Sequence, residues 1–542
     1  MAVMWPQVDT PTGDARSSQD GAIGANPAAE AFGEWMRTCA EAGWVAAIGA
    51  ELVGVTEACG RVTADPVRAL WSVPAYPAAA MDGIAVRAAG TSAAAPQRPV
   101  RLAPGEYDLI DTGQEIPDGY DAVIMREHLR HLDDGWVEID NFVVPGRHVR
   151  PIGEDIQAGR FLLPAGHRIR PLDVAALAGA GHHSVQVRRR PVVAILPTGD
   201  EVRPMGTVLA PGEVLDTNSL MLAGMAEEAG GTAVARPITP DPLDEIATAV
   251  AQAASRADVV LVIAGSSAGR GDHTAAVVRR LGLIAVHGVA IRPGHPVLLG
   301  VLSGERPVPV VGVPGYPASA ERAFTCFVLP LLRRLLGMAD LAWEYPVSAR
   351  LACAVSSPGH LDEYLRLRLA RVLDPRTGRD ALVASPLRRG AGALSSMVHT
   401  EALLRIPIGT TGFAAGEQVR LVPVAGAACE AATTIVSGLR SPAMDALIEQ
   451  CHHELPHWLV QWIECSAREA SEALATGLCH AAALALDDAG SATAADPLAA
   501  IAAQVGDLAV LDIARAGSTR EVLVVPALAG DNPAITMLRT LI

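Results

Sequence analysis

Between residues 191 and 337 the sequence alternates short apolar runs with helix-like stretches, and this pattern constrains the fold more than any other feature. The runs Val192–Leu196, Val259–Ile263 and Val308–Val313 are continuously apolar, which is typical of strands buried on both faces. Strands of this kind that alternate with helices predict a mostly parallel sheet with right-handed crossovers. The predicted helices are Leu220–Glu228, Leu243–Ser255, Thr274–Leu281 and a last one that ends near Leu336.

The sequence on either side of this block has a different pattern of apolar and polar residues. Residues 1–30 are rich in small and polar residues without periodicity and predict a disordered lead-in, followed by a helix around Glu34–Val53. Short apolar segments punctuated by Pro and Gly predict β-structure at 69–149, and short strands with close turns predict a small β-barrel at 342–425. An Ala-rich tail then returns to helix and strand.

Composition excludes several classes of protein. A chain of 542 residues is too long for a single core, and a net charge of −16 argues against a nucleic-acid partner. There is no apolar run long enough to span a membrane and no signal peptide, and the eight cysteines are scattered, so we expect a protein of the reducing cytoplasm. All 43 basic residues are arginine, so a site for an anion must use Arg or His.

The three apolar strands end in loops that contain glycine. In a parallel sheet such loops meet at one edge, where ligands bind. The loop Ala264–Gly269 supplies Gly265, Ser266, Ser267 and Gly269, whose amides and hydroxyls can donate to a phosphate. A single Gly/Ser loop is equally compatible with a plain strand-to-helix turn, but three at one edge favour a phosphate site.

Carboxylates gather in the same places. Glu201 and Asp272 follow strands, and a set of hard oxygen ligands beside a phosphate is what Mg²⁺ requires. Asp216, Asn218 and Asp241 precede or begin helices, and for them a helix cap is an equally good reading. Arg292 follows an extended segment, and it either pairs with an anion or is a surface residue before a turn.

Eight short motifs occur in a fixed order between residues 74 and 317. They are Pro74-Ala75-Tyr76 with Ala80-Met81-Asp82-Gly83; Thr112-Gly113 with Pro117 and Asp121-Ala122-Val123; Gly153-Glu154-Asp155-Ile156; Thr198-Gly199-Asp200-Glu201; Asp216-Thr217-Asn218; Ala264–Gly269 with Asp272; Arg292-Pro293-Gly294-His295-Pro296; and Pro314-Gly315-Tyr316-Pro317. In this order they resemble the motifs of the molybdopterin molybdenumtransferase family, the last enzymes of molybdenum-cofactor assembly, which includes the gephyrin E domain. The resemblance covers about residues 31–425.

The resemblance implies a multi-domain α/β protein with a central three-layer parallel-sheet domain. The implied divisions are a lead-in at 1–30, a linker and dimerisation domain at 31–68 and 150–190, an inserted β-rich domain at 69–149, the molybdopterin-binding α/β domain at 191–337, the barrel at 342–425 and a tail at 437–542. The tail resembles part of a periplasmic-binding-protein-like domain, and its length suffices for hardly more than one of the usual two lobes.

The resemblance also implies the reaction and its residues. A homodimer would hydrolyse adenylylated molybdopterin and place molybdate on the dithiolene with the help of Mg²⁺. One subunit would supply Asp82, Thr112 and Asp155, and the other the remaining site residues. The implied catalytic residues are Asp82, Asp155, Glu201, Asp241 and Asp272, of which Glu201, Asp241 and Asp272 would hold the metal. The implied binding residues are Thr112, Thr198, Gly199, Gly265, Ser266, Ser267, Gly269, Arg292, His295, Pro314, Gly315, Pro317 and Ser395 or Ser396.

The chain departs from the family pattern at the anion site. Arg292 and His295 stand where the family has two lysines, and Tyr316 replaces a common Asn. A polar Asn-Ser pair is replaced by Ala78-Ala79. Because imidazole is only partly charged near neutral pH, anion capture at His295 would depend on pH. These changes keep open the alternative of a non-catalytic scaffold that binds molybdate or molybdopterin. A second alternative is a molybdopterin adenylyltransferase, whose domain is related to residues 191–337, although that class lacks the motif at Asp82 and the barrel.

Overall fold

The computed structural model describes residues 27–264, 273–339, 347–375, 377–390, 392–424, 433–454, 459–487, 502, 508–516 and 519–526. Within these ranges the chain forms a multi-domain α/β fold, as the sequence predicts. No helix among them is long and apolar enough to cross a membrane.

The chain enters the fold through a helix that starts earlier than predicted. Helix α1 spans Pro27–Glu41, so residues 27–30 belong to a helix and not to a disordered lead-in. The predicted helix Glu34–Val53 is wrong in its second half, because Gly43 ends the helix with a φ of +86° and strand β1 (Ala50–Gly54) follows. The buried Trp35 anchors α1 through its indole N–H, which donates to the Gly300 carbonyl at 2.7 Å.

After strand β2 (Val67–Arg68) the inserted β-rich region begins. It contains β3 (Ala78–Ala79), β4 (Gly83–Val86), α2 (Ala88–Thr91), β5 (Val100–Leu102), β6 (Tyr107–Ile110), β7 (Ala122–Met125), β8 (Arg130–His131), β9 (Val137–Ile139) and β10 (Val149–Arg150). Two three-stranded sheets, ordered β6-β4-β7 and β5-β9-β8, enclose a small apolar core. The chain then returns through β11 (Phe161–Leu163), α3 (Pro171–Gly179) and β12 (Ser184–Arg188). Since β11 pairs with β2 and β12 with β1, the linker domain is assembled from two separate chain segments.

The α/β domain is the largest unit. Its elements are β13 (Val192–Pro197), β14 (Val202–Arg203), β15 (Val214–Leu215), α4 (Asn218–Glu228), β16 (Thr232–Ala235), α5 (Leu243–Ala254), β17 (Val259–Ala264), α6 (His273–Leu281), β18 (Gly282–His287), β19 (Ile291–Arg292), β20 (Leu298–Leu302), β21 (Val308–Pro314), α7 (Pro317–Ala323) and α8 (Leu329–Leu335). One sheet has the order β16-β13-β17-β21-β20-β18, with β20 and β18 antiparallel to their neighbours. Apolar cores on both faces confirm the three-layer prediction.

The next region is the predicted barrel. It contains β22 (Val347–Leu351), β23 (Val355–Ser356), β24 (Asp362–Asp374), β25 (Arg379–Pro386), α9 (Leu394–Val398), β26 (Ala402–Ile406), β27 (Gly412–Phe413) and β28 (Gln418–Pro423). Five of these strands close on themselves, because β24 pairs with both β25 and β26. Strand β19 of the α/β domain joins the same sheet, with Arg292 opposite Glu363.

The tail forms a second, smaller sheet. It contains β29 (Thr433–Gly438), α10 (Pro442–Glu454), β30 (Leu459–Glu464), α11 (Ala467–Ala475), β31 (Ala481–Asp487), β32 (Leu508–Ala516) and β33 (Thr519–Pro526), in the order β30-β29-β31-β33-β32. Apolar side chains of the tail and of the barrel share one core. A single lobe of this kind agrees with the prediction that the tail is too short for two lobes. Its relation to periplasmic binding proteins stays a prediction.

Candidate functional site: a carboxylate edge and an arginine-lined cavity

Asp82 and Thr112 are thirty residues apart in sequence and in direct contact in the fold. The amide and the hydroxyl of Thr112 both donate to the same carboxylate oxygen of Asp82, each at 2.7 Å. The register of β4 against β6 pairs Gly83 with Ile110 and thereby brings the two residues together. The two hydrogen bonds stabilise the ionised form and lower the pKa of Asp82. The inserted domain therefore presents a fixed, ionised carboxylate.

The loop that carries Asp82 is held on both sides. Its amide at Ala80 donates to the His148 carbonyl at 2.9 Å, and β3 just before it pairs with β10. Asp155 lies just beyond β10, where its amide donates to the Val73 carbonyl at 3.1 Å and its side chain is exposed. Within the described part of the chain, neither Asp82 nor Asp155 bonds to a residue of the α/β domain.

At the carboxyl end of β13 the backbone folds back sharply. Gly199 has a φ of +135°, and a Cβ there would lie 2.8 Å from a carboxylate oxygen of Glu201, so only glycine fits. The Glu201 side chain is exposed at this edge. Thr198 is buried, and its hydroxyl donates to the Ile263 carbonyl at 3.1 Å. We conclude that Thr198 ties β13 to β17, whereas Gly199 and Glu201 form the accessible turn.

Asp200 and Asp241 form a reciprocal pair at the same edge. The Asp200 amide donates to the Asp241 carboxylate at 3.4 Å, and the Asp241 amide donates to the Asp200 carboxylate at 3.2 Å. The helix-cap reading of Asp241 is therefore wrong, since its carboxylate bonds to another strand-end loop. Asp200 was not among the predicted site residues, although it forms half of this pair. The nearest signal was its place inside the motif Thr198–Glu201.

The remaining polar residues of this edge support the loops. The Asp216 carboxylate accepts from the Ser219 amide at 3.0 Å, which confirms its reading as a helix cap. The Asn218 side-chain amide donates to the Gly315 carbonyl at 2.7 Å and so fixes the loop after β21. In that loop Pro314 ends the strand and Pro317 starts α7, while Tyr316 is exposed. Gly265, Ser266, Ser267, Gly269 and Asp272, all predicted site residues, lie outside the described residues.

A cavity of about 360 Å³ lies where the α/β domain meets the barrel. One wall is the loop that contains Arg292 and His295, and the other consists of the start of β24 and the segment after β25. The barrel wall brings three further arginines to the cavity. They are Arg366, Arg388 and Arg389. The one acidic residue among the lining residues is Glu363, which is only 3% exposed. Four guanidinium groups against one carboxylate leave the cavity strongly cationic.

Arg366 shapes the barrel wall from within. Its guanidinium donates to the Ser396 hydroxyl at 3.1 Å and to the carbonyls of Arg388 at 3.3 Å and Gly390 at 3.0 Å. Burial lowers the pKa of Arg366, although a guanidinium stays charged under all ordinary conditions. Ser396 is buried and contacts the cavity wall only through Arg366, whereas Ser395 is exposed on α9. The serine that lines the cavity is Ser319.

His295 faces the cavity in an orientation that limits its chemistry. Its Nδ1 lies 2.7 Å from the Val289 carbonyl. Because a carbonyl only accepts hydrogen bonds, Nδ1 carries the proton, and the neutral ring then exposes a lone pair at Nε2. His295 can donate to an anion only when the ring is charged. The described residues contain no group of three His, Cys, Asp or Glu side chains placed to hold a metal ion.

The fold and the site together define a class: a multi-domain α/β protein with a carboxylate-rich sheet edge and an arginine-lined cavity beside its barrel domain. Comparison with known families supports this class domain by domain. Residues 30–181 match the MoeA N-terminal region (domains I and II), residues 194–334 match the probable molybdopterin binding domain, and residues 348–424 match the MoeA C-terminal region (domain IV).

Relatives that match about two thirds of the chain agree with these domain matches. The chain is 31% identical over 389 residues to the molybdopterin molybdenumtransferase of Nostoc sp., covering 68% of this chain and 87% of that protein. It is 31% identical over 403 residues to molybdopterin molybdenumtransferase 2 of Mycobacterium tuberculosis, covering 68% and 94%. The crystal structure of the molybdopterin biosynthesis MoeA protein from Pyrococcus horikosii superimposes with a TM-score of 0.62 at 31% identity, over 73% of this chain and 98% of that one.

This chain therefore belongs to the molybdopterin molybdenumtransferase family, the transferases that insert molybdenum during molybdenum cofactor biosynthesis. The scaffold and the adenylyltransferase are not favoured as alternatives, because the matches include the N-terminal and barrel domains as well as the α/β domain.

Proposed function

We propose that this chain inserts molybdenum into adenylylated molybdopterin, releases AMP and yields the molybdenum cofactor. The observation that carries the proposal is the cavity with four arginines beside the loops of the α/β sheet. A tetrahedral dianion such as molybdate requires several charge-assisted donors, which guanidinium groups supply. The strand-end loops of the α/β sheet would hold the pterin phosphate through backbone amides and hydroxyl groups.

We propose Mg²⁺ as the resident ion of the carboxylate edge. The reciprocal pair of Asp200 and Asp241 keeps two hard oxygen donors of the kind this ion prefers in place, and the exposed Glu201 lies in the same loop as Asp200. The described residues alone do not form a set of three ligands, so the site would need a further carboxylate. Asp272 remains the further ligand that we expect from the sequence. A bound Mg²⁺ would offset the negative charge of the pyrophosphate. The carboxylates themselves would orient a water molecule towards the phosphate.

We further propose that the active site forms between two copies of the chain. Asp82 and Asp155 have no bonds to the α/β domain of their own chain within the described residues, so a second subunit can supply them. The linker domain has exposed apolar side chains suited to a dimer interface, among them Leu52, Phe161 and Leu172. The seven described cysteines are free thiols, which fits a reducing cytoplasm.

The first test is an assay of purified protein with adenylylated molybdopterin, molybdate and Mg²⁺, in which AMP release is measured. We expect release that depends on molybdate and that Asp241→Asn reduces by at least about a hundredfold. Asp244→Asn is the matched control, because Asp244 is an exposed aspartate on α5 whose partner is Arg280. Tight molybdate binding without AMP release would refute the catalytic proposal.

The second arm of the test addresses the shared site. Asp82→Asn and Asp241→Asn are each expected to be inactive, but a mixed dimer would contain one intact site. Random assembly of equal amounts makes half of the dimers mixed, so co-expression should restore about a quarter of the wild-type activity. A site within one chain would restore none, and a monomer by light scattering would contradict the model.

A further inference from the structure

The barrel wall of the cavity contains two arginines that the predicted site did not include. Arg388 and Arg389 lie directly after β25, in the segment that Arg366 holds through the carbonyls of Arg388 and Gly390. The Arg366 guanidinium and the two carbonyls that it contacts all belong to this chain. The barrel therefore determines the position of the segment, and a bound ligand does not. The wall therefore exists as a built feature of the free protein.

The two guanidinium groups differ in how they are held. Arg389 donates to the Ser356 carbonyl at 2.7 Å and lies 3.4 Å from the carboxylate of Glu363. The second oxygen of Glu363 is buried and has no hydrogen-bond partner among the described residues. Arg388 is exposed, and within the described ranges it forms neither a side-chain hydrogen bond nor an ion pair. Arg389 is thus a fixed charge, and Arg388 is a free one at the mouth of the cavity.

Arg292 lies on the opposite wall of the cavity, and its side chain is as unconstrained as that of Arg388. Its side chain is exposed and forms no ion pair within the described residues, while its backbone is fixed by the pairing of β19 with β24. The formal charge of the lining residues is four guanidinium groups minus the carboxylate of Glu363, or +3, without any contribution from His295. That charge exceeds what a dianion requires.

We propose that Arg388 and Arg389 bind the oxyanion together with Arg292, and that capture does not require His295. The inference rests on the proposed function, since it names residues that receive the molybdate. Guanidinium groups provide parallel donors that match two oxygens of a tetrahedral anion at once. Neutral His295 turns a lone pair towards the cavity and would weaken binding if it were the principal contact. The two arginines thus supply the charge that the family places at position 295.

The pH dependence of molybdate affinity distinguishes binding by the arginines from binding that requires His295. The charged or titratable groups that face His295 are Arg292 on its own loop, Glu363 and Arg366 on β24, and Arg388 and Arg389 after β25, with Tyr364 and Arg322 behind them. The arginines keep their charge throughout the range from pH 6 to pH 8, so capture by guanidinium groups does not depend on pH there. We expect molybdate affinity to vary by less than about twofold between pH 6 and pH 8. A steep loss of affinity on raising the pH would overturn the inference.

The direct test measures the dissociation constant for molybdate, with tungstate in parallel, by calorimetry on the full-length protein. We expect Arg388→Gln and Arg389→Gln each to weaken binding by about tenfold, and the double variant by more, because each removes a charge-assisted hydrogen bond. His295→Gln should stay within about twofold of wild type. Arg468→Gln is the matched control, because this arginine is 87% exposed on α11 and pairs only with Glu472. Thermal unfolding of each variant checks that it is folded.

The outcomes separate this inference from the proposed function. If His295→Gln abolishes binding while Arg388→Gln and Arg389→Gln bind as wild type does, the inference is wrong and the enzyme assignment stands. If wild-type protein binds molybdate but releases no AMP in its presence, the catalytic proposal fails, and the variant series still reports on the cavity. Arg389→Lys tests the geometry, because lysine keeps the positive charge but lacks the two parallel N–H donors of a guanidinium group. We expect its affinity for molybdate to lie between those of wild type and Arg389→Gln.

Discussion

His480 is buried where the tail meets the barrel, and its hydrogen bonds make the tail sensitive to acid. The ring accepts a hydrogen bond at Nδ1 from the Ile435 amide, 3.0 Å away, and its Nε2 donates to the Arg371 carbonyl at 2.9 Å. Only the neutral ring can do both, because a proton on Nδ1 would face the Ile435 N–H. Burial in this position lowers the pKa of His480 to about 4.

The size of the stability loss follows from the difference between the pKa of His480 in the folded chain and its pKa in the unfolded chain. An unfolded histidine titrates near 6.5, so the unfolded chain binds more protons between pH 6.5 and 4 than the folded one. The contribution of His480 is therefore fully present above pH 7 and is lost as the pH falls. Between pH 7.5 and pH 5 the two values give a loss of about 2 kcal/mol in the free energy that keeps the tail folded.

Hydrogen exchange of the β29 and β31 amides, corrected for intrinsic rates, measures this free energy in the intact protein. The wild type should lose about 2 kcal/mol of protection over that interval. His480→Gln should lose much less, because an amide does not titrate. His182→Gln is the control, since its ring also bonds to a backbone carbonyl, that of Arg68, but in the linker domain. The reasoning is refuted if wild type and His480→Gln lose equal protection on acidification.

Two further predictions concern the inserted domain. Thr112→Val removes the hydroxyl donor but keeps the amide donor, so it should raise the pKa of Asp82 towards its ordinary range and slow AMP release. Carboxyl NMR titration measures the pKa, the AMP assay measures the rate, and Thr112→Ser should match wild type in both. An unchanged titration in the valine variant would contradict this prediction. Gly83→Ala should lower the free energy of unfolding by about 2 kcal/mol or more, because the new Cβ would lie 1.9 Å from the Ile124 carbonyl oxygen. Gly90→Ala, with nothing within 4 Å, should leave thermal unfolding nearly unchanged, and equal melting of the two variants would disprove the steric argument.

The parallel core of the α/β sheet was predictable because its strands carry their own signal. Strands β13, β17 and β21 are continuous apolar runs, which only a doubly covered strand tolerates. Strands β18 and β20 were missed. Strand β20 has Gly300 in its middle and pairs antiparallel with both β21 and β18, and within the described residues β18 pairs only with β20 at the edge of the sheet. Such pairing depends on partners distant in the sequence, which local patterns do not reveal.

The site was predictable to the extent that its residues stand in motifs. Glu201 was predicted from its place at the end of a strand, and Asp82 and Thr112 through the family resemblance; the register of β4 with β6 explains why the last two meet. Arg388 and Arg389 carried no signal, because arginine is the sole long basic residue of this chain and occurs 43 times. Only the pairing of β24 with β25 places them at the cavity, and spacing along the sequence does not give that register.

The tail is better understood as an extension of the barrel than as an appended module. Strand β24 is thirteen residues long: its first half carries Glu363 and Arg366 at the cavity, and its second half carries Ala370 and Val372 into the core shared with the tail. Those apolar side chains would face water without the tail, which explains its packing without any ligand. At the start of α10 the Ser441 hydroxyl donates to the Glu521 carboxylate at 2.6 Å, so the start of this helix is tied to β33 by a hydrogen bond of the chain itself.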